Sequence, residues 1–162
     1  MTSPSPPRLL LFDVDGTLLS SGPRGRLAFT RALESTFGTA GAVASYPFEG
    51  KLDPAIVDEL MRDAGVAPDV VETRRTAALD LYLDLLEEAL AAETPSLKPG
   101  VEELLASLDG DPTFLPALLT GNVERGARIK LSAAGLNPSV CRESVEWAAA
   151  RLLVHDGAAR TG

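Results

Sequence analysis

The sequence predicts an α/β protein in which a parallel sheet is interrupted by a long helical insertion. Two short apolar runs, residues 9–12 and 114–119, have the pattern of buried parallel strands, and polar residues follow each run. Between them, residues 22–96 carry apolar side chains at helical spacing and no strand pattern. We therefore expect a sheet core formed by residues 1–21 and 97–162, and a helical unit formed by residues 22–96.

The first apolar run is expected to form a strand that is buried on both faces of the sheet. It ends in two carboxylates, Asp13 and Asp15, which are followed by Gly16 and Thr17. Two acids at the mouth of a buried strand repel each other and lose hydration unless a cation lies between them. Mg²⁺ takes one or two carboxylates together with waters and phosphate oxygens. The pattern therefore predicts a metal-assisted phosphate site.

Four helices are predicted before the second apolar run. The first covers residues 26–37, and the second begins with Asp53 as its N-cap and Pro54 at its first helical position. A long third helix covers residues 69–92, and a short fourth helix covers residues 101–108. We interpret the apolar stripes along the first three helices as core packing.

A second polar cluster follows the second apolar run. Thr120, Gly121 and Asn122 precede a helix predicted over residues 123–134, with Asn122 as its N-cap. A hydroxyl and free backbone amides at a helix N-terminus can bind phosphate. Pro116 lies within the run and weakens the strand prediction, because proline has no amide hydrogen to donate to a sheet.

Composition argues against several other classes of function. The formal net charge of −8 argues against non-specific nucleic-acid binding. The single cysteine, Cys141, excludes an intramolecular disulfide and favours a reducing compartment. No apolar run approaches the roughly 20 residues that a membrane span requires, and residues 1–7 lack the apolar core of a signal peptide. We expect a soluble, cytoplasmic protein whose oligomeric state the sequence does not indicate.

The two polar clusters resemble motifs of a known family. Residues 13–17, Asp-Val-Asp-Gly-Thr, resemble the first motif of the haloacid-dehalogenase-like superfamily, and residues 119–122, Leu-Thr-Gly-Asn, resemble its second motif. Residues 128–136 are similar to phosphoglycolate-phosphatase-like members. The resemblance covers about residues 8–138 and implies a Rossmann-like core with an inserted α-helical cap, here residues 22–96.

The resemblance implies a hydrolase, namely a Mg²⁺-dependent phosphatase that acts on a small phosphorylated metabolite through an aspartyl phosphate. Asp13 would be the nucleophile, and Asp15 would be the general acid and base. The Asp13 carboxylate and the Asp15 backbone carbonyl would bind the metal. Thr120, Gly121 and Asn122 would bind phosphate. An acid at the second position is typical of the phosphatases and phosphomutases of this superfamily and not of its dehalogenases.

The superfamily also uses a basic residue that neutralises the phosphate and the nucleophile. Lys130 is the candidate for this role, while a lysine on this helix is equally compatible with a solvated face or a salt-bridge partner. Arg142 lies nearer to the loop where relatives carry this residue, but its surroundings do not match. The predicted cap loop, residues 49–53, is expected to face the site, and Lys51 is expected to contact the substrate.

The end of the sequence departs from the family pattern. Asp156 follows an apolar triplet, but the second acid of the family's last motif does not follow it, and the helix-like segment 144–153 also fails to match. We therefore expect incomplete C-terminal strands, with residues 139–162 altered relative to the family, and we interpret His155 as structural. Two alternatives stay open: a phosphomutase of the same fold, or a catalytically impaired or non-enzymatic fragment of such an enzyme.

Overall fold

The computed structural model describes residues 7–136. Within this range the chain forms, in order, β1 Arg8–Phe12, β2 Leu19–Ser20, α1 Arg24–Phe37, α2 Asp53–Asp63, α3 Pro68–Ala92, β3 Ser96–Leu97, α4 Val101–Leu108, β4 Phe114–Leu118 and α5 Glu124–Ala133. Arg142, His155, Asp156 and the predictions for residues 139–162 lie outside the described residues.

β1 and β4 pair as parallel neighbours, which brings the two polar clusters together. The register places Leu10 opposite Pro116, and the backbone N–H of Leu119 donates to the Phe12 carbonyl at 2.8 Å. Because parallel strands run in the same direction, both carboxyl ends lie at one edge of the sheet. The predicted α/β class with a parallel sheet is confirmed.

The direction of the backbone amides explains how β4 accommodates Pro116. The Leu119 amide points to β1, so the amides of Ala117 and Leu115 point the same way, because amide direction alternates along a strand. The Pro116 nitrogen therefore faces away from β1, where no other strand is paired among residues 7–136. The missing amide hydrogen thus costs no hydrogen bond between β1 and β4.

The prediction that β1 is buried on both faces is wrong for the described part of the chain. Leu9 and Leu11 are about half-exposed, whereas Phe12 packs against a core cluster. The buried members of that cluster come from the turn after β1, from β2 and from α4, β4 and α5: Val14, Leu18, Leu19, Val101, Leu118, Ala127 and Leu131. Successive side chains of a strand face opposite sides. Residues 7–136 therefore cover one face of β1 and leave the other open.

The helices α1, α2 and α3 form a second core. Its fully buried side chains include Phe29, Leu33, Ile56, Leu60, Met61 and Leu86. The chain enters and leaves this helical unit through β2 and β3, which pair antiparallel. α3 also packs on α5, so the helical unit contacts the sheet core. The boundaries of the two predicted domains stay a prediction.

The helices occur close to their expected limits, but two predicted N-caps are wrong. α2 begins at Asp53 itself with Leu52 at the N-cap position, and α5 begins at Glu124 with Val123 at the N-cap position. Asp53 and Asn122 do not cap these helices because their side chains bind partners elsewhere in the fold. Among the helices described here, none combines the length and apolar character needed to cross a membrane.

Candidate active site

A cleft of about 560 Å³ opens at the carboxyl edge of the sheet, between the strands and the helical unit. Its lining includes each predicted site residue that lies within residues 7–136: Asp13, Asp15, Lys51, Thr120, Gly121, Asn122 and Lys130. These residues come from separate segments of the sequence, so it is the fold that brings them together.

Val14 anchors the turn that carries the two acids. Its side chain is fully buried, and its carbonyl accepts a hydrogen bond from the Leu19 amide at 3.1 Å. Gly16 has a φ of +83°, which allows the chain to turn back sharply. The side chains on either side of Val14, those of Asp13 and Asp15, are exposed and line the cleft.

Asp13 has one carboxylate oxygen in use. Oδ1 accepts a hydrogen bond from the Val14 amide at 2.8 Å, which fixes the orientation of the carboxylate. Within the described range, Oδ2 takes part in no hydrogen bond or ion pair. The side chain is thus held in place while it keeps an oxygen available to a ligand.

Asp15, Asn122 and Lys130 form a closed triangle of hydrogen bonds. Oδ2 of Asp15 accepts from Nζ of Lys130 at 2.6 Å and from Nδ2 of Asn122 at 2.8 Å. The third side is the bond that Lys130 Nζ donates to Oδ1 of Asn122, also at 2.6 Å. Charge-assisted bonds of this length are strong and directional. The triangle therefore fixes the Asp15 carboxylate in one orientation.

The Lys130 side chain is buried, with only 7% of its surface exposed. A buried ammonium is costly unless it is paired and hydrogen-bonded, and Asp15 and Asn122 meet both needs. The solvated-face alternative for this lysine is therefore wrong, and the salt-bridge partner alternative is confirmed. Its catalytic role stays a prediction.

Thr120 and Asn122 are joined within the turn after β4. Oγ1 of Thr120 accepts from the side-chain amide of Asn122 at 2.7 Å and from its backbone amide at 3.3 Å. The Thr120 hydroxyl hydrogen has no acceptor within residues 7–136, so it is available to a ligand oxygen. Nδ2 of Asn122 donates its two hydrogens to Oγ1 of Thr120 and Oδ2 of Asp15. A phosphate contact through the Asn122 side chain stays a prediction.

Asp53 belongs to the loop that is expected to face the site, but sequence reasoning assigned it only the role of an N-cap. It is buried, its amide donates to the Gly121 carbonyl at 2.9 Å, and its Oδ2 accepts from the Val123 amide at 2.9 Å. Burial raises the pKa of Asp53 to about 6, against the opposing effects of the Val123 amide and the Lys130 charge. No local signal separates this aspartate from an ordinary N-cap, because its partners lie far along the sequence.

Gly121 allows the turn after β4 to touch the helical unit. A Cβ atom at this position would lie 2.0 Å from the backbone oxygen of Lys51. A contact this short is impossible for any side chain, so a glycine is required for the approach. The segment before α2 and the turn after β4 therefore meet backbone to backbone.

Lys51 lines the cleft with its charge already paired. Its Nζ contacts the Glu59 carboxylate and donates to the Tyr46 hydroxyl at 2.8 Å. The hydrogen bond to Glu59 raises the pKa of Lys51, and the same contact lowers the pKa of Glu59. The ammonium also lies 4.5 Å from the centre of the Tyr46 ring. A substrate contact by Lys51 stays a prediction.

An aromatic wall from the helical unit lines the same cleft as Asp13 and Asp15. Phe48 and Tyr82 both line it, and both pack edge-on against the buried Phe29. The guanidinium of Arg26 lies 4.3 Å from the centre of the Phe48 ring and donates to the Tyr46 carbonyl at 2.9 Å. Sequence reasoning did not find this wall.

The donor set at the mouth of β1 fits a magnesium ion with few protein ligands. Residues 7–136 contain no group of three or more acidic, histidine or cysteine side chains suited to hold a metal. Mg²⁺ is commonly bound through one or two carboxylates, with waters and phosphate oxygens completing its coordination. Asp13 keeps an available carboxylate oxygen, whereas Oδ2 of Asp15 is occupied by Lys130 and Asn122.

Solved structures share this fold. CbbY from Rhodobacter sphaeroides, in complex with phosphate, matches with a TM-score of 0.57 and 17% identity over 78% of this chain and 56% of that chain. A predicted phosphoglycolate phosphatase from Haemophilus somnus 129pt matches with a TM-score of 0.55 and 21% identity over 84% of this chain and 60% of that chain. The chain has the haloacid-dehalogenase-like fold.

The resemblance inferred from the motifs is thus confirmed for the fold. The predicted Rossmann-like core with its helical insertion belongs to this haloacid-dehalogenase-like fold. The chain spans less than two thirds of the length of either structure. No family model and no curated protein matches the sequence.

Proposed function

We propose that this chain carries the catalytic site of a Mg²⁺-dependent phosphatase that hydrolyses a small phosphorylated metabolite. The observation that carries the proposal is the state of the two acids after β1. Asp13 keeps an available carboxylate oxygen, while Asp15 is fixed by a buried lysine and an amide. One acid is thus arranged to react and the other to transfer a proton. The haloacid-dehalogenase-like fold supports this assignment.

Asp13 is the nucleophile in this proposal. Its carboxylate attacks phosphorus, a new phosphorus–oxygen bond forms, and the bond to the leaving-group oxygen breaks as Asp15 gives that oxygen a proton. Water then attacks phosphorus, Asp15 takes the proton from the water, and Asp13 is released as a carboxylate together with inorganic phosphate. Since Oδ2 of Asp15 is bound by Lys130 and Asn122, Oδ1 is the atom that carries this proton.

Lys130 and Thr120 stabilise the charge of the transferring phosphoryl group. Phosphoryl transfer depends mainly on positioning and on fixed charges placed around the phosphoryl oxygens. Lys130 supplies a positive charge that its hydrogen bonds hold still, and Thr120 supplies an unused hydroxyl hydrogen. The Asp13 carboxylate and the Asp15 backbone carbonyl would hold Mg²⁺, which polarises the phosphoryl group when it is bound.

The substrate is proposed to be a small phosphorylated metabolite because of the size of the cleft. Its volume of about 560 Å³ lies within the usual range for small-molecule sites. The aromatic wall of Phe48 and Tyr82 faces the part of the substrate that does not react, and Lys51 is proposed to contact it. The net charge of −8 disfavours a nucleic-acid substrate. A cytoplasmic location is proposed from the single cysteine.

The test is phosphate release by the purified chain from p-nitrophenyl phosphate and a panel of small phosphomonoesters, with and without Mg²⁺. We expect Mg²⁺-dependent release that is lost in Asp13→Asn and kept in Asp80→Asn, a matched change of an exposed acid on α3. Equal release by the Asp13→Asn variant would overturn the assignment. Isomerisation of a sugar phosphate without net phosphate release would favour the phosphomutase alternative instead.

A further inference from the structure

Asp53 makes two hydrogen bonds to the turn after β4, one on each side of Asn122. Its amide donates to the Gly121 carbonyl at 2.9 Å, and its carboxylate accepts from the Val123 amide at 2.9 Å. The residue is 7% exposed. Burying a carboxylate is costly, and the hydrogen bond from the Val123 amide offsets part of that cost. Both bonds join Asp53 to the turn after β4, so we expect its role to concern this turn.

The carboxylate of Asp53 does not serve its own helix. α2 has no side-chain hydrogen bond at its N-cap position, which Leu52 occupies. The carboxylate instead accepts a hydrogen bond from the amide of Val123, the N-cap residue of α5 in the sheet core. A role in folding α2 alone does not account for this direction.

The segment held by Asp53 carries the amide that organises the catalytic triangle. Asn122 lies between Gly121 and Val123, and its side chain bonds to both Asp15 and Lys130. Movement of the turn would move this amide away from both partners. The backbone of Gly121 also lies directly against the Lys51 backbone in the segment before α2, which is a further contact between the turn and the helical unit.

We propose that Asp53 is a positioning residue: by bonding on both sides of Asn122, it holds the amide that orients Asp15 and Lys130. The helical unit then holds the catalytic triangle in place as well as forming a wall of the cleft. The kinetic part of this inference rests on the proposed phosphatase function, whereas the structural part does not.

The structural part is tested by NMR on the full chain in the absence of substrate. In Asp53→Ala we expect about tenfold faster hydrogen exchange at the Val123 amide, as for the loss of one hydrogen bond, and shifted side-chain amide signals of Asn122. Asp53→Asn keeps an acceptor oxygen, so the Val123 exchange rate and the Asn122 signals should stay close to those of the wild type. Asp69→Ala is the matched control, because Asp69 also lies in the first turn of a helix but is exposed.

Asp53→Ser is a second variant, which keeps the test possible if Asp53→Ala does not fold. Its hydroxyl is shorter than the carboxylate but keeps the buried position polar, and it should reproduce the changes seen with alanine. The inference is overturned if a folded Asp53→Ala or Asp53→Ser chain keeps the Val123 exchange rate and the Asn122 signals of the wild type.

The kinetic part separates positioning from substrate binding. With p-nitrophenyl phosphate, Asp53→Ala should lower kcat about tenfold with little change in KM, and Asp53→Asn should restore most of kcat. A change confined to KM would contradict a positioning role. If the wild type releases no phosphate, the proposed function fails, while the NMR result still decides the structural part.

Discussion

Nζ of Lys130 lies 2.6 Å from Oδ2 of Asp15. A side chain of α5, the helix after β4, thus contacts an acid that follows β1. The lysine side chain is 7% exposed and the aspartate side chain is 44% exposed. Removing one partner therefore has a different cost for each of the two residues that can remain. Asp15 can be rehydrated where it stands, whereas Lys130 depends on protein partners for its solvation.

Lys130→Met should strongly reduce phosphate release without unfolding the protein. Methionine fills a similar volume without a charge, and an apolar residue in place of a buried ion is often tolerated. We expect the free energy of unfolding to change by less than about 1 kcal/mol. Phosphate release should fall by about 100-fold, since a fixed charge beside the phosphoryl group is lost. Lys98→Met, outside the cleft, is the control, and equal effects of the two changes on activity would contradict the role of Lys130.

Asp15→Ala should destabilise the chain more than Lys130→Met does. It leaves the buried ammonium with Asn122 as its remaining partner in the triangle. We expect a loss of about 1–2 kcal/mol of unfolding free energy, a value kept low because the Asp15 side chain is partly exposed. In the double variant the Lys130→Met change should recover much of this loss. Additive effects in urea unfolding of the single and double variants would show that the two residues do not interact.

The stability difference between the wild type and Asp53→Asn should depend on pH. Burial raises the pKa of Asp53 from 3.8 to about 6, so between these values the folded state holds a proton that the unfolded state has lost. The wild type therefore loses stability relative to Asp53→Asn as the pH rises from about 4 to about 6, by up to about 3 kcal/mol.

The measurement is urea unfolding of both chains at several pH values. Comparing them removes the contribution of other acids that titrate in this range. Lys130 and Asp15 are the charged groups that act on Asp53, and both are present in each chain. A difference that is constant from pH 4 to 7 would contradict burial of an ionisable carboxyl group at this position.

Gly121→Ala should separate the turn after β4 from the helical unit. The added Cβ would lie 2.0 Å from the Lys51 backbone oxygen, so one of the two backbones must move. We expect a loss of about 2–3 kcal/mol of unfolding free energy and weaker phosphate release. Gly25→Ala, where a Cβ meets no atom within 4 Å and the residue is helical, should be neutral or slightly stabilising in thermal unfolding. Equal melting temperatures for the two variants would contradict the close contact.

The local part of the fold could be predicted because short segments carry their own signals. The apolar runs with polar ends indicated parallel strands, and the helical stripes indicated the insertion and its core. Pro116 argued against a strand, yet its nitrogen faces away from β1. That direction depends on the register of the sheet, which no single segment specifies.

The tertiary part of the site could be predicted less well. Asp13 and Asp15 stood out because two acids after an apolar run have no packing role. Asp53 did not, because an aspartate followed by proline looks like a helix start. Its burial against the Val123 amide depends on how the helical unit docks. Lys130 was ambiguous for the same reason, since its helix has both a buried and a solvated face.

In the proposed mechanism, Asp13 is the group that receives the phosphoryl. Beryllofluoride bound to an aspartate mimics an aspartyl phosphate, so ¹⁹F NMR of the chain with Mg²⁺, beryllium and fluoride tests this directly. We predict bound-fluoride signals in the wild type and in the Asp80→Asn control, and none in a folded Asp13→Asn variant. Bound-fluoride signals of equal strength in Asp13→Asn would contradict the claim, as would their absence from the wild type.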